Sequence, residues 1–171
     1  MKVVIIGAGF GGLNAAKSLK GFDELEVTII DRHNYHLFQP LLYQVATAGL
    51  NPADIASPIR SQFRNSKHIK VRLEEVIDID RKLKVVKTNE NEFSYDLLIV
   101  AAGAKNFYFG HNGWAQKAPG LKGLEDATEI RRRLFVAYEN AETAKTEVEK
   151  TKHMTFVLIG AGPTGVELAG A

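Results

Sequence analysis

The sequence predicts an α/β protein built on a parallel sheet, and three observations carry that expectation. Val3-Val4-Ile5-Ile6 is an unbroken apolar, β-branched run that leads directly into Gly7-Ala8-Gly9-Phe10-Gly11-Gly12. A second run, Glu26-Val27-Thr28-Ile29-Ile30-Asp31, follows a short helical segment and ends on an acid. The opening also recurs: Val4-Ile5-Ile6-Gly7-Ala8-Gly9 returns as Val157-Leu158-Ile159-Gly160-Ala161-Gly162. Strands buried on both faces of a parallel sheet read as continuous apolar runs rather than as alternation.

Val3 to Ile6 is therefore the first strand. Leu13 to Leu19 is the first helix, with Leu13, Ala16 and Leu19 on one side and Gly21 ending it. Glu26 to Asp31 closes a strand–helix–strand unit of the usual length. Residues 32–68 are less regular, with Pro40, Pro52 and Pro58 and a short helix expected near Ile55 to Arg64. Lys70 to Val76 and Leu83 to Thr88 alternate as strands about a charged turn at Asp80-Arg81-Lys82, which makes a β-meander insertion. Asp96 to Ala101 is another buried strand, and Asn106 to Gly123 a loop containing glycines and aromatics. A helix is predicted from Ala127 to Lys150, capped by Asp126, with Ile130, Leu134, Ala137 and Ala141 on its buried face. Met154 to Ile159 is expected as a strand entering the second glycine loop. This divides the chain into a Rossmann-like domain over residues 1–110, a linker and long helix over 111–152, and the first strand and helix start of a second Rossmann-like domain over 153–171.

Bulk composition excludes several classes. A chain of 171 residues with 45% hydrophobic and 25% charged residues is ordinary for a globular protein. A net charge of +2 gives no argument for nucleic acid, and the longest block of like charge, Arg131-Arg132-Arg133, reads as a solvated helix face. There is no cysteine, hence no disulfide, thiolate metal site or redox thiol pair in these residues. The apolar N-terminus is interrupted by glycines too early for a signal peptide, and no run approaches the roughly 18 apolar residues that span a bilayer. A cytoplasmic location is expected. His33, His36 and His68 show no metal-ligand spacing, so no metal site is expected.

The glycine loops carry the chemistry. Gly7 allows the tight strand-to-helix turn, Gly9 lets the backbone approach a pyrophosphate, and Gly12 lets helix and strand pack closely. The helix N-terminus then offers unpaired N–H groups and partial positive charge to phosphate. Asp31, at the end of the second strand, is placed to accept from ribose hydroxyls and disfavours a 2′-phosphate. Gly160-Ala161-Gly162-Pro163-Thr164-Gly165 repeats the loop after another apolar run. Two such loops suit two dinucleotides, one flavin and one nicotinamide.

The chain resembles the two-dinucleotide-domain flavoproteins related to pyridine nucleotide-disulfide oxidoreductases. Within them it is most similar to the type II, non-proton-pumping NADH dehydrogenases. The residues that carry the resemblance are Gly7 to Gly12, Asn34 to Ala46, Asp54 to Arg60, Tyr95 to Gly103, Tyr108 to Gly110, Leu124 to Ala127 and Gly160 to Gly170, with Asn34 to Ala46 the most subgroup-specific. The resemblance implies that Gly7, Gly9, Phe10, Gly11 and Gly12 hold the FAD pyrophosphate and that Asp31 and Arg32 lie on the adenosine ribose side. It further implies that Gln44 lies near the flavin or pyrophosphate and that the Val76 backbone pairs with adenine. Ala101-Ala102-Gly103 resembles an Ala-Thr-Gly turn passing close to FAD; Ala102 lacks the hydroxyl, so that contact is by backbone. Gly160, Gly162, Pro163, Thr164 and Gly165 would take the NADH pyrophosphate, and Glu167 would help place the nicotinamide. On helix geometry alone Glu167 is an ordinary first-turn glutamate.

The implied chemistry is hydride transfer from NADH to FAD, then electron delivery to a quinone. The missing cysteines exclude a disulfide reductase with its thiol pair in these residues. A ferredoxin-reductase-like or sulfide:quinone-type enzyme, or a nucleotide-binding flavoprotein module without turnover, are the alternatives. One strand and one short helix cannot bury a sheet, so these residues are expected to be the N-terminal part of a larger enzyme and inactive alone. No nucleic-acid partner is expected. Membrane contact, peripheral and on the cytoplasmic face, would come only through other parts of the enzyme. A homodimer is compatible with the sequence. Phe107, Tyr108, Phe109 and Trp114 are read first as packing.

Overall fold

The computed structural model describes residues 1–171 and divides into two compact units, Met1–Leu37 with Ala56–Ala104, and Phe38–Ile55 with Lys105–Ala171. The first unit is built on a four-stranded parallel sheet of β1 (Lys2–Ile6), β2 (Glu26–Asp31), β5 (Ile69–Leu73) and β9 (Leu97–Val100), in the order β5-β2-β1-β9. The helix α1 (Phe10–Ser18) connects β1 to β2. Helix formation starts at Phe10, before the Leu13 expected from apolar spacing, because Gly9 already has the extended conformation of an N-cap (φ −67°, ψ −165°). The chain runs outward from β1 through β2 to β5, then returns to β1's other side with β9. That reversal is a topological switch point, where open α/β sheets bind ligands beyond the carboxyl ends of the strands.

Both sheet faces are covered over β1 and β2, which explains their continuous apolar runs; β9, expected to be buried, is an edge strand on which Leu97 and Val100 are exposed. Val3, Ile5, Val27 and Ile29 face one way and pack with Leu13 and Ala16 of α1 and with Ile59 and Phe63 of a 3-10 turn, Ile59–Phe63. Val4, Ile6 and Ile30 face the other way, onto Val86, with Val76, Ile79 and Phe93 packed around them. The last four belong to a meander of β6 (Val76–Asp80), β7 (Val85–Thr88) and β8 (Glu92–Ser94), paired antiparallel in that order. Ile5, Ile29 and Ile59 are fully buried, and each contributes roughly 1.5–3 kcal/mol relative to exposure.

Two expected elements differ locally. Lys70 to Val76 is not one strand: β5 ends at Leu73, and Val76 opens a second strand on a different sheet. Residues between Ile55 and Arg64 are not a single short helix. Ala56–Pro58 (β4) pairs antiparallel with Tyr35–Leu37 (β3) before the 3-10 turn, a long-range pairing that local spacing cannot signal. The charged turn at Asp80 is found, with Asp80 Oδ1 accepting from Lys82 and Leu83 N–H at 2.9 Å each.

The second unit is helical. It contains α2 (Leu42–Ala46), α3 (Trp114–Lys117), α4 (Leu124–Glu142), α5 (Glu147–His153) and α6 (Pro163–Gly170), and α2 packs against both α4 and α6. The helix expected over Ala127 to Lys150 is two helices. Thr143 follows the end of α4, its Oγ1 donating back to the Glu139 carbonyl (3.1 Å), and Thr146 caps α5 by accepting from Glu149 N–H (3.2 Å). Asp126 sits at the third position of α4, not at its cap, and accepts from the N–H groups of Lys122 (2.8 Å) and Gly123 (3.1 Å). Ala127 and Ala141 are buried; Ile130, Leu134 and Ala137 are half-buried. Met154 to Ile159 does not form a strand. A parallel strand exists only by pairing with neighbours, and this segment has none, so Val157 and Ile159 are more than 80% exposed. No helix is long and apolar enough to cross a membrane.

Candidate functional site

The first glycine loop joins β1 to α1 at the switch point. Gly7 has φ +93°, and its N–H donates to the Ile30 carbonyl at 2.8 Å. A Cβ there would overlap the Ala101 carbonyl, so the end of β9 lies directly against the loop. A Cβ on Gly12 would overlap the Gly7 carbonyl oxygen. Gly7 and Gly12 are thus demanded by the fold itself. Gly9 and Gly11 are not: a Cβ on Gly9 meets nothing within 4 Å, and one on Gly11 makes only an ordinary 3.7 Å contact with Ala101 Cβ. Their lack of side chains keeps backbone accessible, which is the requirement of a phosphate cradle.

Asp31 ends β2 beside this loop, its side chain 15% exposed. Oδ2 accepts from Ala8 N–H at 2.6 Å and Oδ1 from His33 N–H at 2.7 Å, with His33 Nδ1 3.5 Å away. The carboxylate therefore organises the loop. Each oxygen keeps a second lone pair. Arg32 follows it and is exposed. On the opposite side Ala102 is exposed, and Gly103 has φ +71° with open space at its Cβ position. Val76 begins β6 opposite Thr88, where the register is irregular. Gly7, Gly9, Phe10, Gly11, Gly12, Asp31, Arg32, Val76, Ala102 and Gly103 all lie in the first unit.

Gln44, Gly160, Gly162, Pro163, Thr164, Gly165 and Glu167 lie in the second. Gln44 is on α2, half-buried, with Nε2 donating to Tyr43 Oη at 3.0 Å. The second loop repeats the first one's geometry. Gly160 has φ +106°, Gly162 is an extended N-cap (φ −74°, ψ 175°) with open space at its Cβ position, and a Cβ on Gly165 would overlap the Gly160 oxygen. Val166 N–H donates to Gly162 O at 3.1 Å, as Leu13 N–H does to Gly9 O at 2.9 Å. Pro163 takes the first helical position, where no N–H is required. Glu167 is exposed on α6 as its fifth residue, beyond the first turn expected from helix geometry.

Two groups near the first site escape sequence reasoning. His36 lies with Nδ1 2.9 Å from the Ala8 carbonyl and its ring edge-to-face with Phe10 at 5.2 Å. Glu74, 7% exposed, accepts from Thr88 Oγ1 (2.6 Å) and Asn91 Nδ2 (3.1 Å), while its N–H donates to the Asp31 carbonyl (3.0 Å). No spacing in the sequence points to either. In the second unit Tyr108 is tied to the Ala118 carbonyl (3.0 Å), in line with packing, whereas Phe107 and Phe109 are about three-quarters exposed. Arg132 and Arg133 both bond Glu129 on a helix face where the Arg132 side chain remains largely exposed.

Residues 1–171 match the family model described as pyridine nucleotide-disulphide oxidoreductase. The type II NADH:quinone oxidoreductase NdhA of Mycobacterium tuberculosis is 50% identical over 173 residues, covering 99% of this chain and 37% of the relative. The structure of NDH2 from Plasmodium falciparum in complex with RYL-552 superposes with a TM-score of 0.87 at 31% identity, over 98% of this chain and 35% of that one. The same protein in complex with NADH gives 0.77 at 29% identity, over 88% of this chain and 32% of that one. The chain thus spans about a third of the length of these proteins. With its parallel sheet, its switch-point glycine loop and a family match along the whole length, the chain belongs to the pyridine nucleotide-disulphide oxidoreductase family.

Proposed function

We propose that this chain supplies the FAD-binding part, and one NADH-binding loop, of an NADH:quinone oxidoreductase. The observation that carries the reading is the division of labour among the first loop's glycines: two are required by packing, and two stand open at the N-terminus of α1. The residues present fit a dinucleotide, because an open Gly9 cradle, a helix N-terminus and an acid at the end of β2 occur together. Gly7, Gly9, Phe10, Gly11 and Gly12 would hold the FAD pyrophosphate, Asp31 and Arg32 the ribose side, Val76 the adenine, and Ala102 and Gly103 the returning edge. Gln44 would lie near the flavin or pyrophosphate. Gly160, Gly162, Pro163, Thr164 and Gly165 would hold the NADH pyrophosphate, and Glu167 would orient the nicotinamide. Bound FAD would accept hydride from NADH and pass electrons to a quinone. The protein's own task is then positioning.

The names of the relatives support the choice of NADH and quinone. We read residues 1–110 as the FAD domain, 111–152 as linker and helix, and 153–171 as the opening of the NADH domain. Attachment to the cytoplasmic face of a membrane and a homodimer belong to the same reading. The test is purification of the protein at its full encoded length. A stoichiometric flavin spectrum that NADH bleaches and a quinone restores is expected. Absence of FAD binding would overturn the reading, and bound FAD that NADH bleaches but no quinone reoxidises would favour a different electron acceptor.

A further inference from the structure

Ala8 is the non-glycine at the heart of the first loop, 1% exposed, and both its backbone groups are held by side chains from elsewhere in the unit. Its N–H donates to Asp31 Oδ2, and its carbonyl oxygen lies 2.9 Å from His36 Nδ1. A carbonyl only accepts, so Nδ1 carries the proton of this bond. The ring is further fixed by its edge-to-face contact with Phe10 (interplanar angle 87°), and its backbone by β3, where His36 pairs with Ser57 of β4. At the corresponding place in the second loop, Ala161 is exposed and has no such partners.

The carbonyl of Ala8 and the N–H of Gly9 belong to one planar trans peptide, in which they point in opposite directions. Holding the carbonyl therefore aims the N–H. Gly9 N–H has no acceptor in the protein, and the space around Gly9 is open. We propose that His36 is a positioning residue for the phosphate cradle: its Nδ1–H clamps the Ala8 carbonyl and thereby aims Gly9 N–H at a dinucleotide's pyrophosphate. This rests on reading the loop as a dinucleotide site. The alternative is that His36 merely fills space against Phe10.

Two substitutions separate these roles. His36→Asn keeps a donor, with the amide Nδ2 standing where Nδ1 stands, but loses the ring. His36→Phe keeps the ring against Phe10 but loses the donor. Binding of FAD, ADP and adenosine is measured on the full-length protein freed of flavin. His36→Phe should weaken ADP and FAD by about tenfold, the weight of one net hydrogen bond, with adenosine unchanged. His36→Asn should stay within about threefold of the parent for all three. The imidazole ¹⁵N shifts of the ligand-free protein should report the Nδ1-protonated tautomer. Wild-type ADP affinity in His36→Phe, equal loss of adenosine and ADP, or an Nε2-protonated tautomer would each overturn the proposal. Parent protein that binds ADP but not FAD would sink the FAD reading while the ADP series still decides the role of His36.

Discussion

Gly9→Ala and Gly12→Ala should separate ligand binding from folding. At Gly12 a Cβ would overlap the Gly7 carbonyl oxygen and lie 3.3 Å from Ile5 Cγ2. The obstructing atom is backbone pinned at the end of a central strand, so no side chain can rotate away. Overpacking of this kind costs about 3 kcal/mol, the upper end of its usual range. Alanine returns roughly 1 kcal/mol of helix propensity, which leaves about 2 kcal/mol of destabilisation. For a chain of this size that lowers the melting temperature by about 4–8 °C. Gly9 differs in both respects: φ −67° suits any residue, and nothing lies within 4 Å of its Cβ position. The weaker cap that alanine makes and the reduced entropy of the unfolded chain nearly cancel, to within about 0.5 kcal/mol. Its methyl would occupy the approach of the pyrophosphate, so FAD affinity should fall at least about tenfold, since the hydrogen bond it disrupts is to a charged group. Thermal unfolding of the ligand-free proteins by circular dichroism and FAD titration by flavin fluorescence provide the two readouts. A Gly9→Ala protein that melts as far below the parent as Gly12→Ala, or that binds FAD as the parent does, would refute this separation.

Thr88→Val removes the hydroxyl that donates to the buried Glu74 carboxylate and should cost about 2 kcal/mol in urea unfolding; an unchanged midpoint would mean that solvent reaches Glu74. Hydrogen bonds from Arg132 and then Arg133 lower the Glu129 carboxyl from 4.5 to about 2. A lowered folded value means that this contribution is complete above pH 4.5 and is lost as pH falls through about 2, so Glu129→Gln should flatten the melting temperature against pH in that window. A profile as steep as the parent's would assign the acid sensitivity to other groups. Gly162→Ala, at a site as open as Gly9, should weaken NADH binding and leave flavin content unchanged; equal loss of both ligands would contradict separate cradles.

Much of the first unit is legible in the chain because its signals are local. The β-branched runs at Val3 to Ile6 and Val27 to Ile30 are apolar on both sides because helix and meander cover both faces of the sheet. Gly7 and Gly12 are legible because only glycine tolerates a left-handed turn or a carbonyl at that distance. The pairing of β3 with β4, the burial of Glu74 under Thr88 and Asn91, and the reach of His36 to Ala8 depend on residues far apart in the chain. No periodicity encodes such contacts. Similarly, Asp31 is recognisable as an acid at a strand end, but its bond to Ala8 N–H appears only when β2 lies beside the loop.

The repeated segment marks the boundary most sharply. Val4 to Gly9 and Val157 to Gly162 share an apolar run and a glycine turn, and the loops that follow match in dihedral angles and in close approach. The turn is set by the sequence itself, because positive φ and the missing Cβ atoms act over a few residues. Strand formation is set by tertiary structure: Val3 to Ile6 has β2 and β9 to accept and donate its backbone hydrogen bonds, and Thr155 to Ile159 has no neighbour. A glycine loop is a local property of the chain, whereas a β-strand is a relation between segments.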